Sequence, residues 1–274
     1  MSFVFSGISH VLLDIEGTTC PVSFVAATLF PYAQKHLGDY LLRHGAEPDV
    51  QQLVAEVDAL WIADPHPEAQ ALRQLGPRLS SQAQGELGQQ PPVEPYLQWL
   101  IQTDRKAAPL KDLQGRIWAE GYGKGELKGP LFEDVPEALR RWQQQGLVLA
   151  VYSSGSVAAQ QLLYANSSAG DLSILFSHWF DTRTGPKQNP ESYRQISAAM
   201  HTEPASILFV SDALAELDAA AAAGFGLLFS NRAGNPHRDA GPYPSTDSYV
   251  NVSINSTAPT PQKPGGWAIQ HGKP

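Results

Sequence analysis

The chain has 274 residues, 42% of them hydrophobic and 17% charged, with a formal net charge of −8. That length buries a substantial core, as one large domain or two modest ones. The acidic balance argues against a nucleic-acid-binding surface, and a lone cysteine, Cys20, rules out an intrachain disulfide framework. No stretch approaches the roughly 20 apolar residues of a membrane span, and no basic segment precedes an apolar run at the start. A soluble cytoplasmic protein is therefore expected.

The first element is the apolar run Val11-Leu12-Leu13, which ends abruptly in Asp14, with Glu16 two places on and Gly17 behind it. A short apolar run bounded by a polar turn reads as a buried strand. Ligands of open α/β sheets bind just beyond the carboxyl ends of the strands. Asp14 and Glu16, two residues apart, point to the same side. Two carboxylates there suggest a cation site, an acid/base pair, or a nucleophile with its acid/base partner.

A helical stretch follows to about residue 44, with Phe24, Leu29, Phe30, Ala33, Leu37 and Leu41 on a broad apolar face. Leu53, Val57 and Leu60 predict a helix over 49–62. Residues 63–92 read as loop, Gln-rich and broken by Pro65, Pro67, Pro77, Pro91 and Pro92. Helices are expected at 93–103 and 109–122. Nothing between 21 and 128 looks like a strand, so this segment reads as an all-helical insertion.

The α/β pattern resumes near residue 130. A helix over 134–145 stops at Gly146. Residues 147–152 form an apolar strand ending in Ser153-Ser154, followed by a helix over 156–164. His178 to Asp181 is a short strand or turn, and 190–200 a helix. A third apolar strand, 207–210, ends in Ser211-Asp212. The Ala-rich helix 213–223 closes at Gly224, before a strand over 225–229. Alternating strands and helices imply a parallel sheet with right-handed crossovers. From Gly234 the composition turns to Pro, Gly, Ser, Asn and Thr, and the last stretch, 255–274, reads as loosely attached.

Three apolar strands thus end in polar clusters: Asp14/Glu16, Ser153/Ser154 and Ser211/Asp212. Each alone is ordinary, since Ser and Asp are common turn residues. Together, in this order, they converge on one rim. Lys187 lies between the second and third, in Gly185-Pro186-Lys187, ahead of a helix opening near Pro190. A lysine there can be aimed at an anion close to the helix N-terminus. The eight histidines have no metal-ligand spacing.

Asp14-Ile-Glu16-Gly-Thr-Thr resembles the first motif of haloacid-dehalogenase-type phosphotransferases, Asp-x-Asp-Gly-Thr. Glu in the second acidic place resembles the enolase-phosphatase (acireductone synthase) family of methionine salvage. Tyr152-Ser153-Ser154-Gly-Ser-Val, Gly185-Pro-Lys187 with Glu191-Ser-Tyr-Arg, and Val210-Ser-Asp212 look like that family's remaining motifs, in order. Asp104-Arg105-Lys106 and Leu113-Gln114-Gly115-Arg116-Ile117-Trp118 resemble stretches of its helical cap. The fourth motif leaves open whether Glu216 or Asp218 joins a metal shell.

The resemblance implies a Rossmann-like α/β core of residues 1–20 and 129–234, a helical cap of residues 21–128, and a partly disordered C-terminal extension, 235–274. It implies Asp14 as nucleophile, Glu16 as proton shuttle and Lys187 as charge partner, with Ser153, Ser154 and Lys187 on the phosphate. One Mg²⁺ per monomer is expected on Asp14, the residue-16 main-chain carbonyl and Asp212. The implied substrate is a small phosphorylated diketone, enolised and then dephosphorylated by a monomer with no nucleic-acid or membrane partner. Trp99, Trp118, Phe24, Tyr122 and Phe132 are candidate apolar contacts for the substrate, although core packing is the commoner role of such residues. Arg105, Lys106, Lys111 and Arg116 form a basic patch that could face the substrate. A phosphatase acting on another small monoester shares every core motif. A non-catalytic phosphometabolite-binding protein is the alternative of another class.

Overall fold

A computed structural model describes residues 3–82, 93–105 and 107–255. Lys106, most of the 255–274 tail and the end of the expected loop, 83–92, lie outside the described residues. The chain begins with β1 (Phe3–Ser6) and then β2 (His10–Leu13). A helical turn α1 (Val22–Phe24), a π-helical stretch (Val25–Leu29) and α2 (Phe30–His44) run on without a break. The helices α3 (Pro48–Ala63), α4 (Pro67–Gln82), α5 (Glu94–Gln102) and α6 (Ala108–Gly123) complete a helical cap inserted between β2 and the rest of the sheet. After α7 (Val135–Gln144) the chain alternates: β3 (Val148–Tyr152), α8 (Val157–Ala165), β4 (Phe176–Phe180), α9 (Pro190–Ala199), β5 (Ile207–Ser211), α10 (Leu214–Ala222), β6 (Gly226–Ser230). Two short strands follow, β7 (Ser245–Thr246) and β8 (Val252–Asn255).

The main sheet is parallel throughout, in the order β4-β3-β2-β5-β6-β7. Strand side chains alternate between faces, and both faces are covered, which is why these strands are continuously apolar. Val11, Leu13, Leu149, Val151, Leu208 and Val210 pack towards α7 and α8. Leu12, Ala150, Tyr152, Ile207 and Phe209 pack towards α9 and α10. Local chemistry sets the helix ends. Ser156 caps α8 by accepting from the Ala159 N–H, and Asn189 caps α9 by accepting from the Glu191 N–H.

The sequence reading needs two corrections. Residues 67–82, read as loop, form α4 and run through Pro77. Pro67 opens that helix, where its missing N–H is no loss, and the Trp61 indole N–H donates to the Ala69 carbonyl at 2.7 Å. Counting prolines hid an amphipathic segment that the neighbouring helices cover. Residues 235–255, read as part of a partly disordered extension, include two strands joined to the rest: β7 extends the main sheet, and β8 pairs with β1. Alternation within Val252-Ser253-Ile254-Asn255 carried that strand, with Val252 and Ile254 buried, but the surrounding Pro and Ser masked it. Among the described residues no helix is long and apolar enough to cross a membrane.

Candidate active site

The chain leaves β2 for β3 and β4 on one side, and fills β5, β6 and β7 on the other. The crevice beyond the carboxyl end of β2 is therefore a topological switch point, where ligands of open α/β sheets bind. Asp14 is the first residue past β2, and its N–H donates to Val210 O at 3.0 Å. Ser153 is the first past β3, and Asp212 the first past β5. The three predicted strand-end clusters thus share one rim.

Lys187 reaches that rim from the loop before α9. Its Nζ lies 2.6 Å from Asp14 Oδ1 and 2.7 Å from Glu216 Oε2. Three hydroxyls hold the loop by its main-chain carbonyls. Tyr152 donates to Gly185 O at 2.9 Å, Ser192 to Pro186 O at 2.8 Å, and Tyr193 to Lys187 O at 2.7 Å. Burial alone would lower the Lys187 pKa, but the two carboxylates overcome it and hold the ammonium above its usual value. Glu216 also accepts from Ser211 Oγ at 2.9 Å. Asp218 instead turns outward to the Tyr243 hydroxyl, 2.6 Å away. Of the two residues that the fourth motif left open, Glu216 stands at the rim and Asp218 does not.

The loop after Asp14 is fastened from the far end of the chain. Gly17 adopts φ +70, and a side chain there would run into the Asp212 carboxylate. Its carbonyl accepts from Ser230 Oγ at 3.0 Å and from Asn235 Nδ2 at 2.9 Å. The Tyr249 hydroxyl donates to Thr18 O at 3.0 Å. Arg232 buttresses Tyr249: it lies 4.2 Å from that ring and 4.6 Å from Phe132, and it pairs with Asp134 at 2.7 Å. None of Ser230, Arg232, Asn235 and Tyr249 stood out in the sequence, because each sits in a stretch whose composition reads as turn or tail.

A cavity of about 270 Å³ opens between this rim and the cap. Glu16, Ser153, Ser154 and Gln160 line the core side. Val25, Ala26, Leu29, Phe30, Leu100, Ile101, Leu110 and Trp118 give the cap side an apolar wall, with Arg105, Lys111 and Gln114 among them. Of the predicted cap contacts Trp118 lines the cavity, whereas Trp99, Phe24, Tyr122 and Phe132 do not; Trp99 instead donates to Glu68 at 3.0 Å. The basic patch divides. Lys111 Nζ approaches Ser154 O at 3.4 Å, Arg105 reaches the cavity while paired to Asp64, and Arg116 is paired to Asp49 outside it. Cys20 is buried, and burial followed by the Glu16 charge pushes its thiol up to about 12, which leaves it inert.

The rim carries more negative than positive charge. Among the described residues, Asp14, Asp212 and Glu216 gather around the ammonium of Lys187. Burial first, then Asp14 and Glu216, pushes the Asp212 carboxyl up to about 7. Glu216 is raised as well, by burial and then Asp14. Such an excess fits a hard divalent cation. Among the described residues no three or more His, Cys, Asp or Glu could hold a metal by themselves. A cation here would complete its shell with main-chain and water oxygens, as Mg²⁺ does.

A family model of haloacid dehalogenase-like hydrolases matches residues 8–224. The chain belongs to that family. Enolase-phosphatase E1 of Synechococcus sp. (strain CC9902) is 47% identical over 240 residues, covering 86% of this chain and 94% of the relative. Enolase-phosphatase E1 of Synechococcus sp. (strain WH7803) is 51% identical over 237 residues, covering 85% and 94%. Within the hydrolases the chain is thus a member of the enolase-phosphatase family and a phosphatase by class. The crystal structure of UTR4 protein from Saccharomyces cerevisiae superposes with a TM-score of 0.63 at 30% identity, over 89% of this chain and 99% of that one. CbbY from Rhodobacter sphaeroides, solved with phosphate, matches at a TM-score of 0.51 and 15% identity over 88% of this chain and 95% of that one, a likeness of fold alone.

Proposed function

We propose that this member of the family is a Mg²⁺-dependent enolase-phosphatase. It converts 2,3-diketo-5-methylthiopentyl 1-phosphate to acireductone (1,2-dihydroxy-3-keto-5-methylthiopentene) and phosphate in methionine salvage, as a cytoplasmic monomer with residues 21–128 as its cap. The observation that carries this reading is one cavity in which Glu16, Ser153 and Ser154 meet an apolar cap wall, beside the Asp14–Lys187 pair. Polar groups at one end and a hydrocarbon surface at the other suit a phosphate ester with an alkylthio tail.

In this mechanism a proton leaves C1 of the diketone as the C2 oxygen gains one, giving the enol phosphate. Asp14 then forms a bond to phosphorus while the bond from phosphorus to the C1 oxygen breaks, and an aspartyl-phosphate results. The departing oxygen takes a proton from Glu16. Water cleaves the aspartyl-phosphate, and its proton returns to Glu16. Ser153, Ser154 and the N–H groups at the start of α8 hold phosphate oxygens, and Lys187 offsets the charge of the transferring group. Asp14, Asp212 and the residue-16 carbonyl would hold Mg²⁺, which when bound supplies Lewis-acid polarisation of a substrate oxygen.

The test is turnover of the diketo phosphate with Mg²⁺, following enediol absorbance and free phosphate in parallel, with Asp14→Asn as control. Both signals should appear and vanish together in the control. Phosphate released from simple esters with no enediol signal would replace this reading with a plain phosphomonoesterase.

A further inference from the structure

Gln114 is a largely buried polar side chain whose amide is turned to the cavity. It is 5% exposed, projects from α6 and lines the cavity wall. Among the described residues no hydrogen bond reaches its amide. Its neighbour across the cavity, Gln160, donates through its nitrogen to both Gly155 O and Phe180 O at 2.8 Å, and only its Oε1 is left without a partner. Lys111 approaches Ser154 O, and Trp118 donates to Leu29 O at 2.8 Å. The Gln114 amide atoms stay accessible from the cavity, which leaves their hydrogen-bonding capacity open to an entering group. Gln114 is therefore placed for a partner that enters the cavity.

Its position on the helix says which part of a substrate it meets. Lys111, Gln114 and Trp118 fall at i, i+3 and i+7, one stripe of α6, and all three line the cavity. Lys111 marks the end beside the Ser153-Ser154 loop. Trp118, with its ring 6.5 Å from that of Phe30, marks the apolar end. Gln114 lies between them, about 4.5 Å along the axis from Lys111 and about 6 Å from Trp118.

We propose that Gln114 is the specificity residue that hydrogen-bonds the vicinal carbonyl oxygens of the substrate. The inference rests on the enolase-phosphatase reading. With its phosphate at Ser153 and Ser154 and its tail against Trp118, a five-carbon diketone presents its C2 and C3 oxygens to the middle of the stripe. A carboxamide offers two N–H donors and one acceptor oxygen. It can donate to a ketone oxygen before enolisation and accept from the enol hydroxyl afterwards, with no change in its own charge. A carboxylate in its place would have no donor and would repel the developing enolate.

The test compares wild type with Gln114→Leu and the near-isosteric Gln114→Glu, each as full chain with Mg²⁺. kcat/KM is measured for the diketo phosphate, by enediol absorbance, and for butyl phosphate, by phosphate release. The ratio of the two should fall about 10- to 100-fold in both variants, further in Gln114→Glu than in Gln114→Leu. A ratio within twofold of wild type, whether both rates fall or neither does, would overturn the proposal and leave Gln114 a packing residue. Wild type that hydrolyses butyl phosphate but yields no enediol would instead defeat the enolase-phosphatase reading itself, and this inference with it.

Discussion

Arg232 in the core and Arg43 in the cap both grip a carboxylate with two nitrogens. Arg232 meets Asp134 at 2.7 and 3.1 Å, and Arg43 meets Glu120 at 3.1 and 2.8 Å. The side chain of the first is 4% exposed, that of the second 41%. The rim of the core and the surface of the cap differ in the same way, although the core has a surface pair of its own in Arg194–Glu191. Core charges at the rim, Asp14, Lys187 and Glu216, are buried and wired to one another, whereas Arg43, Arg116 and Lys124 of the cap pair at the surface. An exception among the described cap residues is Asp64, which is buried under Arg105 and the Tyr96 hydroxyl. The difference teaches where charge is structural. At the rim it ties side chains from three separate elements together, and in the cap it sits on helices whose apolar faces do the packing.

The sharpest probe of that division is Glu16→Gln, which keeps the shape of a rim side chain and removes its proton chemistry. Enediol formation, phosphate release or both should slow by about 10²- to 10⁴-fold, read by the two parallel signals. Full rates in both would show that the rim charge at this position is no more than decoration.

Next comes Arg232→Met, which leaves Asp134 buried without its partner. Loss of one member of a buried pair costs about 3–5 kcal/mol, measurable as a lower urea midpoint. Burial opposes ionisation of Asp134, but Arg232 and the Tyr249 N–H outweigh it and hold its carboxyl below the usual range. A depressed folded-state pKa contributes stability that is full above the unfolded value, about 3.9, and is lost as pH falls through the folded one. The gap between wild type and variant should therefore be widest near neutral pH and narrow below about pH 4. A gap that widens on acidification would contradict the assignment.

Smallest is Arg43→Ala, which removes an exposed pair and should cost less than about 1 kcal/mol, shrinking further in high salt. A loss comparable to that of Arg232→Met would erase the contrast between core and cap.

Much of this arrangement is legible in the sequence because it is local. Apolar runs that stop at Asp14, Ser153 and Ser211-Asp212 mark strand ends directly, and the parallel order brings them together. Lys187 was found by its place in a loop ahead of a helix. What escaped is long-range. Glu216 and Asp218 differ by two residues on one helix, and only the helix phase turns the first inward to Lys187 and the second out to Tyr243. Asn235 and Tyr249 act on Gly17 and Thr18 across more than 200 residues, and no local pattern announces such a bond. Gln114 stood within a recognised stretch, but its lack of a partner is visible only once the helices are packed.

The fastening of Gly17 and Thr18 bears on the order in which the molecule is made. The loop after Asp14 is translated long before Ser230, Asn235 and Tyr249, which grip it, and β1 long before β8, with which it pairs. Contacts of such separation are the slow ones in folding. A nascent chain can assemble its helical cap before residue 249 emerges, but the turn that carries Gly17 and Thr18 stays unfastened until then.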